Sequence, residues 1–334
     1  MRRLAIALAA LAAGSLLPAA VSAPGVAEKR LEVGLVLQAG GPTDPYHRIS
    51  VAGFRRAVRD IGVQGRILTA GPREGLFPSL AYFARQRYDL VIALGSLNVQ
   101  AYDAAAVSFP KTRFAIVDAS HEALPHKPRN VEGTVFRTEE AAYLAGYLAA
   151  LLERQRPGKD VVSSVGGVKI STVDAYIGGY QAGARKASPR ITTLNGYSND
   201  FLDQEKCKRV ALNQIAKGSG VVFPVAGGCS FGALDAAKRR GVWGIGVDAD
   251  YAFLGAHMLT SVVKRMDVAV YEIIRRLAKG SLPTGGDLTF DLRNDGVGLG
   301  TISPKVPRAL VAQVERIRRQ IISGKIRNIP TTVP

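Results

Sequence analysis

The stretch from Ser219 to Asp250 constrains the fold of this chain more than any other. An apolar run from Val221 to Ala226 is followed by the glycine-rich sequence GGCSFG, a helical segment around 233–240 and a second apolar run that ends at Asp248. This order predicts one β-α-β unit. Because ligands of open parallel sheets bind outside the carboxyl ends of the strands, we predict that the glycine-rich loop and the acidic strand end form half of a ligand-binding cleft.

The same alternation recurs along the chain roughly once every 25 to 30 residues, which is typical of doubly wound parallel sheets. Apolar runs predict further strands at 31–39, 90–94, 114–117, 131–136, 161–165 and 191–197. A helix is expected to follow with Thr138 as its N-cap, and a short strand is expected at Leu288–Leu292. With 334 residues, the chain is predicted to form two α/β lobes with a crossover near Phe136.

The first residues have the features of a secretory signal. Arg2 and Arg3 precede an apolar run from Leu4 to Ala13, and small residues follow up to Ala27. We therefore expect export, with cleavage between Ala23 and Ala27. No other apolar run approaches the length that spans a bilayer, and no cysteine closely follows the apolar run, so no N-terminal lipid anchor is expected.

The chain is strongly basic, with a formal charge of +17. Its lysines and arginines are dispersed, often as pairs on helices that also carry apolar stripes, so we interpret them as solvated outer faces and expect no nucleic-acid partner. Cys207 and Cys229 are the only cysteines, and both follow predicted strands at the same sheet edge. Because sequence does not give the distance between them, a bridge stays open at this point.

Several motifs in order resemble one family. The sequences FRTEE followed by AAYLAGYLAAL, then VGG, GGYQAG, VAGG before GIGVDAD, LTSVVKRMDVAV, and DGVGL with the ending IISGKI lie between about Leu31 and Pro330. Together they resemble the basic membrane protein family of substrate-binding proteins, which includes purine nucleoside receptors of ABC transporters. The resemblance covers nearly the whole chain after the predicted signal peptide.

The resemblance implies a type I periplasmic-binding-protein fold, in which two doubly wound parallel-sheet lobes are joined by three crossing segments and close on the ligand. With a signal peptide at 1–27, lobe 1 is expected to comprise 28–135 plus 256–285, and lobe 2 to comprise 136–255 plus 286–334. Besides the crossing near Phe136, crossings are expected near Tyr251–Gly255 and Pro283–Leu288.

The resemblance also implies a ligand site between the lobes. Tyr46 falls where the family places an aromatic ring that stacks on the ligand, and His47 falls on the family's asparagine. Phe231, in GGCSFG, is the aromatic candidate of the opposite lobe. Asp248 matches an acidic residue aimed at the ligand, and Lys264 matches a lysine that reaches a ribose hydroxyl.

Three further residues complete the predicted site. Asn98 and Asn199 each follow a predicted strand and so belong at the binding edge of a sheet. Gln38 stands where the family usually has an aspartate at the end of the first strand. Since a carboxylate only accepts hydrogen bonds whereas an amide also donates them, recognition of the ligand's base is expected to differ here.

An enzyme is the main alternative. Ser230 lies in a G-x-S-x-G sequence between a strand and a helix, and an aspartate at 248 or 250 followed by His257 gives the order Ser, Asp, His of a serine hydrolase. Against this, only one β-α unit separates Ser230 from the acid, and no HGGG-like segment precedes it. A ligand sensor for a membrane partner is also left open.

No metal or cofactor is expected. The sequence HEALPH, from His121 to His126, is one residue too long for the zinc motif H-E-x-x-H and contains a proline. Together with the signal-like N-terminus, the family resemblance implies a periplasmic, monomeric substrate-binding protein that is not an enzyme. It is expected to capture a purine nucleoside or related small polar aromatic compound and to deliver it to an ABC permease.

Overall fold

The computed structural model describes residues 30–38, 40–71, 75–158 and 160–333. The predicted signal peptide, residues 1–27, lies outside the described residues. None of the helices in these ranges is long and apolar enough to cross a membrane.

Strands and helices alternate along the described chain. The strands are β1 Glu32–Leu37, β2 Gln64–Thr69, β3 Leu90–Leu94, β4 Arg113–Val117, β5 Val131–Phe136, β6 Val161–Gly166, β7 Thr192–Tyr197, β8 Val221–Val225, β9 Trp243–Asp248, β10 Met258–Lys264, β11 Gly286–Phe290 and β12 Val297–Leu299. The α-helices are α1 Pro45–Ile61, α2 Phe77–Arg85, α3 Val99–Ser108, α4 Thr138–Glu153, α5 Ser171–Ala187, α6 Gln204–Ala216, α7 Ser230–Arg239, α8 Met266–Ala278 and α9 Arg308–Ile322.

The strands form two sheets of matching topology. The first sheet has the order β11-β5-β4-β3-β1-β2, and the second has the order β12-β10-β9-β8-β6-β7. Neighbouring strands are parallel throughout, except that β12 runs antiparallel to β10. The predicted α/β class with two parallel-sheet lobes is confirmed.

Each sheet is covered by helices on both faces, which is why central strands such as β3 and β8 are apolar throughout. In the first lobe, α1 and α8 pack on one face and α2 and α3 on the other. In the second lobe, α4, α5 and α9 cover one face, and α6 and α7 cover the other.

Two of the three crossings lie later in the chain than expected. The chain leaves the first sheet after Phe136, but β10 then pairs with β9 in the second sheet, so the return crossing lies at Arg265 and not at Tyr251–Gly255. Likewise β11 belongs to the first sheet, so the last crossing follows Phe290 and not Pro283–Leu288. The assignments of 256–264 to lobe 1 and of 286–290 to lobe 2 were therefore wrong, because an apolar strand does not reveal which of two similar sheets it joins.

Other boundaries differ locally from the predictions. Thr138 is the first residue of α4 and not its N-cap, a position that Arg137 holds. The strand expected at Leu288–Leu292 begins at Gly286. The edge strand β2 was not predicted, because its mostly exposed side chains give no apolar run.

The helices α4 and α5 approach each other closely through glycines. A Cβ atom on Gly183 would overlap the carbonyl oxygen of Tyr143, and one on Gly146 would overlap that of Tyr180. Only glycine permits this backbone contact, which explains the glycines in AAYLAGYLAAL and GGYQAG. The two helices are thereby packed tightly against each other on one face of the second sheet.

Candidate functional site

A cavity of about 360 Å³ lies between the carboxyl ends of the two sheets. Its lining comes from both lobes, including Gln38 and Asp118 of the first and Tyr176 and Asp248 of the second. Carboxyl ends of parallel strands are where such folds bind ligands, so the cavity is the candidate ligand site.

Lys264 occupies the centre of this site. It is the last residue of β10 and its side chain is 3% exposed. Its Nζ lies 2.7 Å from Asp118 Oδ2 of the first lobe and 3.3 Å from Asp248 Oδ1 of the second. Burial favours a lower pKa for Lys264, but the two carboxylates outweigh it and the pKa is raised. The ammonium is therefore charged and bridges the lobes.

Two tyrosines complete the surroundings of the carboxylates. The Tyr46 hydroxyl donates to Asp118 Oδ2 at 3.0 Å, and the Tyr176 hydroxyl donates to Asp248 Oδ1 at 2.7 Å. Burial and these carboxylates raise the pKa of both tyrosines well above its usual value, so both hydroxyls stay protonated donors. In the part of the chain that the structure describes, no hydrogen bond reaches Asp118 Oδ1 or Asp248 Oδ2. Each carboxylate therefore has one oxygen without a hydrogen bond from these residues.

Asp118 was missed by the sequence analysis, although a signal for it exists. It directly follows β4, and Asp248 ends β9, the strand at the matching place in the other sheet. Both have left-handed backbones, with φ of 68° and 66°. Both also lie in a Val-Asp-Ala sequence, at 117–119 and 247–249. This internal repeat would have pointed to Asp118.

Gln38, His47 and Asn98 form another part of the lining, at the ends of β1 and β3. The Gln38 amide donates through Nε2 to the carbonyl oxygen of Leu94 at 2.8 Å. His47 is buried, and its Nδ1 lies 2.9 Å from the Gly41 carbonyl oxygen. Because a carbonyl oxygen only accepts, Nδ1 carries a hydrogen and donates to Gly41.

Two predicted site residues lie outside the cavity. Phe231 packs edge-on against Tyr251, with ring centroids 5.4 Å apart, and Asn199 is an exposed loop residue. The second lobe instead contributes Phe201, from the loop between β7 and α6, to the lining. The sequence could have pointed to Phe201, because it lies two residues after Asn199, just past the end of a strand.

The Ser230 hydroxyl forms its hydrogen bonds within the turn in which it lies. It is buried, and its Oγ accepts from the Ala226 amide at 3.1 Å and lies 3.5 Å from the Pro224 carbonyl oxygen. No histidine is hydrogen-bonded to Ser230 in the described ranges, so the Ser-His pair of a hydrolase is not assembled there. Nor do these ranges contain a group of three metal-ligating side chains.

Comparison with known proteins identifies the family. The family described as ABC transporter substrate-binding protein, PnrA-like, matches residues 33–331. The chain belongs to this family. Membership implies a small-molecule ligand, an ABC permease as partner and a location outside the cytoplasm.

Among curated relatives, the CD4+ T-cell-stimulating antigen of Listeria monocytogenes is 30% identical over 260 residues, covering 73% of this chain and 71% of that protein. The ABC transporter nucleoside-binding protein BmpA of Lactococcus lactis is also 30% identical over 260 residues, covering 72% and 71%. Among solved structures, an ABC transporter solute-binding protein from Aeropyrum pernix superposes with a TM-score of 0.77 at 24% identity, covering 90% of this chain and 94% of that one. At this identity the likeness shows the fold alone.

Proposed function

We propose that this member of the family is an exported, periplasmic and monomeric binding protein that captures a purine nucleoside or a closely related compound for an ABC permease. The observation that carries the proposal is Lys264 between Asp118 and Asp248, each with an oxygen left for a ligand. Neighbouring sugar hydroxyls donate to carboxylates and accept from an ammonium. The centre of the cavity therefore suits a ribose.

The rest of the cavity suits a flat heteroaromatic ring. Tyr46 of the first lobe and Phe201 of the second both line the cavity, and stacking on an aromatic ring contributes about 1–3 kcal/mol per base. Gln38 and His47 add polar groups that can read the edge of a base. The name of the Lactococcus lactis relative, a nucleoside-binding protein, agrees with this assignment.

The charge of the site favours nucleosides over nucleotides. Asp118 and Asp248 carry two negative charges, against the single positive charge of Lys264 in the buried network. A phosphate brought next to this network would add to an existing negative excess in a poorly solvated place. A neutral ligand rich in hydroxyl donors meets no such cost.

The mechanism is closure of the lobes without chemical change to the ligand. Lys264 immediately precedes the crossing at Arg265 and contacts the carboxylates of both lobes. A ligand that binds groups of both lobes has more contacts in the closed state and shifts the equilibrium towards it. The commitment of Ser230 to its own turn argues against hydrolysis.

The proposal is tested by isothermal titration calorimetry of the purified protein with inosine, guanosine, adenosine, inosine monophosphate and ribose. We expect at least one nucleoside to bind more tightly than the monophosphate, and ribose alone to bind weakly. A preference for the monophosphate contradicts the charge argument. Binding of none of the nucleosides contradicts the proposed ligand class.

A further inference from the structure

We propose that the disulfide between Cys207 and Cys229 positions the ligand-contacting wall of the second lobe. We define this wall as two loops, 198–203 after β7 and 226–229 after β8. The bond joins the second loop to α6, the helix that begins directly after the first loop, and the structure assigns it the role of holding Phe201 in place. The effect on ligand affinity rests on the proposed function, whereas the effect on the wall itself does not.

The location of the disulfide is the first observation. Cys229 ends the single helical turn Gly227–Cys229 that follows β8, and Cys207 lies in the first part of α6, which follows the loop 198–203. Their Cα atoms are 5.6 Å apart, and both side chains are fully buried. The sequence had left this bridge open. The bond therefore links the helix that follows the first loop to the end of the second loop.

The two loops also contact each other through their backbones. The Cys229 amide donates to the Phe201 carbonyl oxygen at 2.9 Å, so the residue that carries the sulfur also fixes the residue that carries the ring. Asp200 Oδ1 accepts from the Leu202 amide at 2.8 Å and from the Asp203 amide at 3.0 Å, which shapes the rest of the loop. Movement of Cys229 is thereby transmitted directly to Phe201.

The cysteines themselves do not line the cavity, but their neighbours do. Phe201 and Leu202 of the first loop and Ala226 and Gly227 of the second are lining residues. A Cβ atom on Gly167 would overlap the Phe201 ring, so this ring is seated against the backbone of a third loop. The disulfide therefore acts on the ligand only through the position of these residues.

The bond is confined to one lobe. The chain has two cysteines in all, so the first lobe has no covalent counterpart. Export would place the protein where such a bond forms and persists. If the wall is ordered before binding, the ligand does not have to immobilise these loops, and less conformational entropy is lost on binding. The affinity is then higher, mainly because dissociation is slower. We infer that loss of the bond loosens the second lobe's wall and leaves that of the first lobe unchanged.

The first test is independent of any ligand. Hydrogen–deuterium exchange is compared between the wild type and the double variant Cys207→Ala/Cys229→Ala, whose alanines keep the site apolar. We expect faster exchange at 199–203 and 227–229 and unchanged exchange at 96–99, the equivalent wall of the first lobe. Unchanged exchange in the second lobe, or an equal increase in both lobes, overturns the inference. If the alanine pair does not fold, the same comparison is made with the serine pair.

The second test separates positioning from general stability. Inosine affinity is expected to fall roughly 3- to 10-fold on loss of the disulfide, as for the ordering of one or two side chains. In a Phe201→Ala background the same loss is expected to cost almost nothing further, whereas in a Tyr46→Ala background it costs the full factor. Equal effects in both backgrounds refute a role through Phe201. If the wild type binds no inosine, the proposed ligand fails and the exchange experiment alone decides this inference.

Discussion

Replacing Lys264 with methionine is the most informative change in the site, because it keeps an unbranched side chain of similar size and removes the ammonium group. The Nζ lies 2.7 Å from one carboxylate and 3.3 Å from the other. At an effective dielectric constant of about 20, the gross attractions are about 6 and 5 kcal/mol. Desolvation of the three ions offsets much of this, and removal of one member of a buried pair typically costs 3–5 kcal/mol.

We therefore expect Lys264→Met to lower the free energy of unfolding by about 3–5 kcal/mol at neutral pH, measured by urea denaturation. Lys206→Met is the matched control. Its Nζ also lies 2.7 Å from a carboxylate, that of Asp200, but the lysine side chain is 39% exposed. Because water screens that pair, the control variant is expected to unfold at nearly the wild-type urea concentration.

Each lysine has one ion pair of 2.7 Å, and the two differ in burial and in the second carboxylate that Lys264 also contacts. If both variants lose the same stability, burial does not determine the strength of the Lys264 pair. If neither variant loses stability, the two carboxylates become solvated in another way, for example because the lobes move apart. In that case the reasoning from buried charge is wrong. Inosine titration of the same Lys264→Met protein then shows whether the bridge serves the ligand alone.

Three further changes test other parts of the structure. Phe201→Ala should weaken inosine binding by about 10- to 100-fold in titration calorimetry, as expected for loss of one stacking ring, whereas Phe231→Ala should leave it unchanged. Burial and a neighbouring carboxylate raise the pKa of Glu132 to about 7. The folded protein therefore loses stability as the pH rises from about 4.5 to 7, and Glu132→Gln should remove roughly 2–3 kcal/mol of that fall in urea denaturation. Gly183→Ala should lower the thermal midpoint by forcing α4 and α5 apart, at a cost of about 1–3 kcal/mol, whereas Gly286→Ala, with open space at its Cβ, should not.

The fold could be predicted from the sequence wherever a strand is buried on both faces. The strand β3 was predicted to the residue, because its apolar run lies between Asp89 and Gly95. The edge strand β2 was not, since its exposed side chains carry no apolar pattern. The sequence also did not show which sheet β10 joins, because both sheets of a two-lobe fold contain apolar strands with which it could pair.

The site was predictable to the extent that strand ends converge. Six of the eight predicted residues line the cavity, namely Gln38, Tyr46, His47, Asn98, Asp248 and Lys264. Phe231 does not line the cavity, because its position in α7 turns its ring towards Tyr251. A short motif does not show in which direction a single side chain of a helix points. The hydrogen bonds that join Tyr176 to Asp248 and Lys264 to Asp118 span 72 and 146 residues, and no local pattern encodes such contacts.

The two lobes bring similar residues to the cleft but differ at one strand end. Each lobe brings a tyrosine and an aspartate to the cleft, on matching elements of the two sheets. The strands β5 and β10 also occupy matching places, yet β5 ends in Phe136 and β10 ends in Lys264. A lysine at both positions would give each carboxylate its own cation. Among the described residues that line the cleft, Lys264 is the cation, and both carboxylates contact its ammonium. Under the proposed function, hydroxyl groups of a ligand held between the lobes donate to the other oxygen of each carboxylate, which links recognition to closure.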